Sequence, residues 1–364
     1  QNIFLIVIIC FIILWSILSI FASPYYSEVS ITSLFYWILL LYIALVIMTL
    51  ISNIDYSWTR KFYDSLVIIN AIINIYTIVW VFRTVGINNI SNIYLIRSTM
   101  DTLSVGLNRF LSGLFFISFI SIPVSLGIIK NKRLYVISVI NFVSLVLLII
   151  FSGSRQNLIA VLSYTVLCII NCNLLYKSKY DKKRKINSKI GLLVTIFVFV
   201  LPFLYFSHKG ISLIQFIKFR FIDVVAKKQS ELGVIDPRIL IIRQAAVGIK
   251  ERPIFGHGIG TFMELNGIYS HNGYLNFAFE IGIIPFLIVL CYFLFSAIKG
   301  LISKRIILNN SMDELYIVSS SLFIVIAFVS NIFNDFLSSN TLWIAFILFN
   351  RSIKNIGFKE STDK

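Results

Sequence analysis

The chain has 364 residues, of which 58% are apolar, 15% aromatic and only 13% charged, with a mean hydropathy of +0.90. Soluble domains average about 45–50% apolar and about 25% charged residues, so a water-soluble fold of this size would lack the polar surface to cover itself, and a disordered chain lies further still from this composition. The formal charge of +16, from 32 Lys and Arg against 16 Asp and Glu, would point to nucleic acid in a soluble protein; in a membrane protein it is read first as orientation, and no nucleic-acid partner is expected.

Crossing the hydrocarbon core takes about 20 apolar residues in a helix. Ten runs come close, at about 3–21, 32–52, 65–85, 107–129, 134–151, 157–175, 190–206, 272–297, 314–332 and 337–350. None alternates as a membrane strand does, so the expected fold class is all-α: a polytopic bundle of about ten transmembrane helices with one large external loop. The expected division is 1–206 with seven helices, 207–271 as the loop, and 272–364 with three helices and a cytoplasmic tail. The first run is too long for a signal-peptide core and no small-residue cleavage site follows it. Because the chain opens on Gln1, the native start is expected upstream.

Basic residues orient the ten helices. Arg60-Lys61, the group Lys130 to Arg133, the seven between Lys177 and Lys189, the group Lys299 to Arg305, and the tail from Arg351 all fall on one side. The positive-inside rule makes that side cytoplasmic, with both termini inside. Outside remain Arg83, Arg97, Arg109, Arg155 and nine cations between residues 207 and 271. Loops beyond about 60 residues escape the rule, which permits those charges without explaining them. An anionic partner at the external face would; so would a surface lying against anionic headgroups. Within the loop, Ile211 to Val225 reads as an amphipathic helix in the interface plane. Asp236-Pro237 then starts a second helix, Asp as N-cap and Pro first in the helix, that runs to about Lys250 and stops before Pro253. Arg243 and Lys250, seven apart, share a face.

Little in the sequence speaks for cofactor chemistry, and none is expected. The cysteines sit in apolar runs without a metal-binding spacing, and there is no P-loop, no HExxH and no close external carboxylate pair. Gly256-His257-Gly258-Ile259-Gly260 superficially resembles a nucleotide loop, but no strand precedes it and a turn fits better. What remains is a set of external arginines, one histidine at a helix start, and few carboxylates. Arg155 follows the small-residue turn Ser152-Gly153-Ser154 at a helix N-terminus, where the dipole favours an anion and a cation gains nothing unless an anion joins it. His271, at the aqueous entrance of the helix from 272, can accept a proton near neutral pH. Glu280 lies deep in that apolar helix, where an ionised carboxylate costs about 2.5–3.5 kcal/mol, so it should face the bundle interior or a wet cavity.

Three stretches together resemble the bacterial O-antigen polymerase and O-antigen ligase superfamily: Phe151-Ser152-Gly153-Ser154-Arg155-Gln156; Arg243 through the return Arg252-Pro253-Ile254-Phe255-Gly256-His257-Gly258-Ile259-Gly260-Thr261-Phe262; and His271-Asn272, nine residues, then Gly282. The Arg-x10-Gly repeat of some polymerases is not laid out cleanly in both external loops. The resemblance implies a multi-pass enzyme of the bacterial cytoplasmic membrane whose site faces the exterior. It would act on glycans carried on undecaprenyl diphosphate as donor and acceptor, with the bilayer and a chain-length regulator as further partners. It implies that Arg155 and Arg243 hold the diphosphate and that His271 deprotonates or orients the attacking hydroxyl. Arg220, Arg238, Arg252 and Glu280 are secondary substrate contacts, and Arg97 and Arg109 weaker ones. Polymerisation of lipid-linked repeat units for O-antigen or capsule is the favoured activity. The alternatives are ligation of finished polymer to lipid A-core and flipping of the lipid-linked units.

Overall fold

The computed structural model describes residues 2–25, 31–39, 41–42, 46, 56–86, 118–125, 133–152, 155–175, 237–267, 272–303, 312–329, 342, 345–346 and 349. Every regular element among them is helical. In chain order these are α1 (Asn2–Ala22), α2 (31–39), α3 (Tyr56–Val85), a 3-10 turn (Phe119–Ser121) leading into α4 (Ile122–Ser125), α5 (Tyr135–Ser152), α6 (Arg155–Leu175), α7 (Pro237–Glu251), α8 (Thr261–Asn266), α9 (Gly273–Ile281), α10 (Ile283–Ser303) and α11 (Met312–Ile324), which continues as a π turn (Val325–Val329). The chain divides into two units, each built from discontinuous segments. Residues 1–49, 206–299 and 330–340 form one, and residues 50–205, 300–329 and 341–364 the other.

One described stretch, Tyr63–Val85, is long and apolar enough to cross a membrane; Ile6–Ala22, Tyr135–Ile149, Ile159–Asn171, Ile283–Ile298 and Tyr316–Val329 are shorter apolar helices. The expected run 190–206, the amphipathic helix at 211–225, about half of 32–52, and most of 107–129 and 337–350 lie outside the described residues. Two expectations are corrected. The run 272–297 is two helices rather than one, broken at Gly282 (φ 90°, ψ 169°). Arg60 and Lys61 lie within α3, which begins at Tyr56, and not in a connection.

The second unit is inside-out by the standards of a water-soluble protein. Along α3 the buried positions include Asn70 and Asn74, while Ile72 (62% exposed) and Val79 (57%) face outward. A helix that hides its amides and displays isoleucine has the polarity suited to lipid. The hidden amides are used. Asn141 Oδ1, on α5, accepts from Asn74 Nδ2 (2.6 Å) and Asn70 Nδ2 (3.2 Å), and Asn141 Nδ2 donates to Ser121 Oγ at 3.1 Å. Asn74 and Asn70 also donate to Ser118 Oγ. A second polar junction ties α6 to α11, where Asn171 Nδ2 donates to Ser321 Oγ (2.7 Å) and Ser320 Oγ (3.1 Å). Where no water competes, such bonds and close packing are what hold helices together. The α3–α5 pair runs parallel: Asn70 and Asn74 meet Asn141, and further along both helices Val81 and Val85 meet Leu147.

Candidate functional site

Within the first unit, α7 begins at Pro237, whose fixed φ suits a first helical position. Ile241, Ala245 and Gly248 recur at helical spacing and are buried. Ile241 and Ala245 pack with Phe262 and Phe279, joined by the partly buried Ile249 and Leu275. Gly248 has no side chain because the Phe279 ring occupies that space: a Cβ would lie 2.7 Å from Phe279 Cδ2. The helix closes with Arg252 N–H donating to Gly248 O (3.0 Å), and Gly256 N–H donates in turn to Arg252 O (3.1 Å).

The return that follows is docked onto the end of α9. His257 N–H donates to Phe279 O (2.9 Å), Gly258 N–H to Glu280 O (2.8 Å), and Ile283 N–H to Pro253 O (2.8 Å). The last carbonyls of a helix have no partner within it, and here each of four finds one. Ala278 O takes Gly282 N–H (3.0 Å), Phe279 O takes His257, Glu280 O takes Gly258 and Ser19 Oγ (2.9 Å), and Ile281 O takes Trp15 Nε1 (3.0 Å). That accounting is what lets an apolar helix break, since interrupted backbone is tolerated at membrane depth only where protein satisfies it. The amides of residues 256 to 258 are therefore spent on backbone carbonyls, and the glycine run is a docking turn and not a phosphate cradle.

The spacing of the third motif has a direct structural meaning. Asn272 is the N-cap of α9, its Oδ1 accepting from Tyr274 N and Leu275 N at 3.1 Å each; the nine residues that follow are the helix, and Gly282 is its C-cap. Gly282 needs both its positive φ and its lack of a side chain, because a Cβ would stand 2.6 Å from the carbonyl carbon of Ile254.

Several participants were not singled out by the sequence. His257 is buried, stacked on Phe279 with ring centroids 4.3 Å apart, and its Nε2 lies 2.9 Å from Gly248 O. A carbonyl acceptor requires the proton on Nε2, and Nδ1 is buried with no hydrogen-bond partner among the described residues. Ser23 donates its hydroxyl to His257 O, and Trp15 stacks on Phe255 (5.2 Å). The signal for the N-terminal contribution was present in the Trp15, Ser19 and Ser23 spacing, which puts polar groups on one side of an apolar helix.

Of the expected site residues, Arg243 is exposed on α7, on the side away from Phe279. Arg252 is half-buried and donates Nη1–H to Ala22 O at 2.7 Å, tying the start of the return to the end of α1. Glu280 is buried. Arg238 is the second residue of α7 and Arg155 the first of α6, which belongs to the other unit; their side chains, and His271 and Arg220 altogether, lie outside the described residues. Among the described residues no three His, Cys, Asp or Glu side chains gather closely enough to hold a metal ion.

Comparison with known proteins agrees with the motifs. No curated protein and no solved structure matches the chain. A family model does, over residues 140–290, and its description is O-antigen ligase. That stretch takes in Arg155, α7, the glycine return and the capped α9. Over those residues the chain is similar to the O-antigen ligase family, which supports the resemblance to the O-antigen polymerase and ligase superfamily.

Proposed function

We propose that the chain is a membrane glycosyltransferase that joins undecaprenyl-diphosphate-linked oligosaccharide repeat units at the outer face of the bacterial cytoplasmic membrane. The observation that carries this reading is the family match, whose residues 140–290 enclose all three motifs. In the reaction, the anomeric C–O bond to the lipid diphosphate breaks as the acceptor hydroxyl oxygen bonds to the anomeric carbon. The electron pair leaves with the diphosphate, and the hydroxyl proton passes to a base. Arg155 and Arg243 hold the diphosphate, since guanidinium binds phosphate through paired donors and stays charged throughout. His271 takes or orients the hydroxyl proton. Arg220, Arg238, Arg252 and Glu280 serve as further contacts to phosphate and glycan. The broken helix supports the assignment of His271: Asn272 fixes where α9 begins, and His271 directly precedes it.

The description of the matching family favours a second reading, transfer of finished polymer to lipid A-core. Loss of a polymerase leaves single repeat units on the core, whereas loss of a ligase leaves the core bare, so a gel of surface glycan from a deletion strain separates the two. In the complemented strain, Arg155→Ala and Arg243→Ala should each abolish long chains while the protein inserts in normal amount. A normal chain-length ladder from both variants would end the diphosphate-clamp reading.

A further inference from the structure

The outward side of α7 carries a pattern of which the reaction above uses only Arg243. Its packed side is Ile241, Ala245 and Gly248. At about 100° per residue, Leu240, Arg243, Val247 and Lys250 fall together on the opposite side. Leu240 is 46% and Val247 56% exposed, and Arg243 and Lys250 are exposed as well. Exposed Glu251 flanks the line, and Ile254, 50% exposed, follows at the foot of the helix. Apolar and basic side chains therefore alternate at steps of three and four residues. A face meant only for water has no use for the leucine and valine, and one meant only for lipid tails has none for two cations. A neutral glycan fits neither component. The chemistry that fits both is an anionic head joined to an apolar chain.

We infer that this stripe seats the lipid carrier, with Arg243 and Lys250 on its phosphates and Leu240 and Val247 against the first isoprenoid units. The inference rests on the diphosphate role given to Arg243. It adds Lys250 as a second phosphate contact and makes α7 the donor side of the site. Seven residues put the two cations about 10 Å apart along the axis, a gap that their long side chains close by leaning toward one another.

The test uses the full-length protein in nanodiscs of neutral lipid and measures displacement of a fluorescent polyprenyl diphosphate. Undecaprenyl diphosphate, inorganic diphosphate and phosphatidylglycerol are the competitors. Lys250→Ala should weaken carrier binding about tenfold, equivalent to about 1.4 kcal/mol, with Lys250→Glu weaker again and Lys250→Arg close to wild type. Val247→Ser should weaken the lipid diphosphate while leaving inorganic diphosphate unchanged. These positions point away from the packed side, so melting temperatures should match wild type; if Lys250→Ala melts early, Lys250→Gln replaces it. Full binding by Lys250→Ala together with loss in Arg243→Ala would overturn the stripe and leave the clamp standing. Full binding by both would overturn both. Equal competition by inorganic diphosphate or by phosphatidylglycerol would overturn the carrier in favour of a bare phosphate or headgroup site.

Discussion

Gly282→Ala tests whether the docking of the return onto α9 holds the first unit together. At φ 90° and ψ 169° the residue occupies a region open essentially to glycine alone, and an alanine there costs about 1–3 kcal/mol. The added methyl would also lie 2.6 Å from the Ile254 carbonyl carbon and 3.1 Å from Pro253 O. These are backbone atoms, so the turn must retreat. Retreat lengthens the bond from Ile283 N–H to Pro253 O and those from His257 and Gly258 to the α9 carbonyls. A buried group left without its partner costs about 1–3 kcal/mol, so losing even one bond brings the total to about 2–6 kcal/mol. Gly267→Ala is the control: its φ is +67° but nothing lies within 4 Å of the added atom, and a left-handed residue of that kind costs about 1–2 kcal/mol. Denaturant unfolding of both variants in the same detergent measures the difference. Gly256→Ala, whose methyl would meet Glu280 O at 2.5 Å, breaks the same docking and should add little on top of Gly282→Ala. A Gly282→Ala midpoint no lower than that of Gly267→Ala, or full additivity with Gly256→Ala, would refute the docking account.

Three further outcomes are expected. Asn272→Ala should cost about 1 kcal/mol through loss of the α9 cap, with Asn272→Asp retaining most of it, as melting curves of the two would register. Asn141→Leu should destabilise by about 1–2 kcal/mol, because Asn74 and Asn70 each lose one of their acceptors, and replacing Asn74 by Leu as well should restore part of that loss; a double mutant worse than the sum would contradict the network. Arg252→Ala should cost no more than about 1 kcal/mol of stability, since its bond to Ala22 O is solvent-exposed; a far larger drop in glycan polymerisation than in melting temperature would identify it as a substrate contact.

Much of the helical frame was legible because apolar runs end where turn residues begin. The limits of α1, α5 and α7 fall within a residue or two of the expected ones. Arg155 was expected at a helix start and opens α6. The start of α3 was missed because its first turns, with Arg60, Lys61 and Asp64, are too polar to count as a span. The break at Gly282 was hidden for a different reason. Apolar residues flank it on both sides, and what demands the glycine is the carbonyl of Ile254, far upstream in sequence. Long-range backbone contact leaves no periodicity to detect. The same holds for His257, whose burial depends on a missing side chain at Gly248 and a ring at Phe279. Arg243 was singled out by the resemblance and Glu280 as a carboxylate in an apolar run; the first is exposed on α7 and the second buried in α9, while His271 and Arg220 lie outside the described residues.

The parallel run of α3 and α5 bears on which face of the bilayer the chemistry meets. The leading ends of these two neighbours, marked by Arg60, Lys61 and Arg133, share one level. Inserted with that cationic rim in the cytosol, the pair delivers Val85 and Ser152 together to the far leaflet. Arg155, three residues beyond Ser152, would open α6 at that same end of the pair.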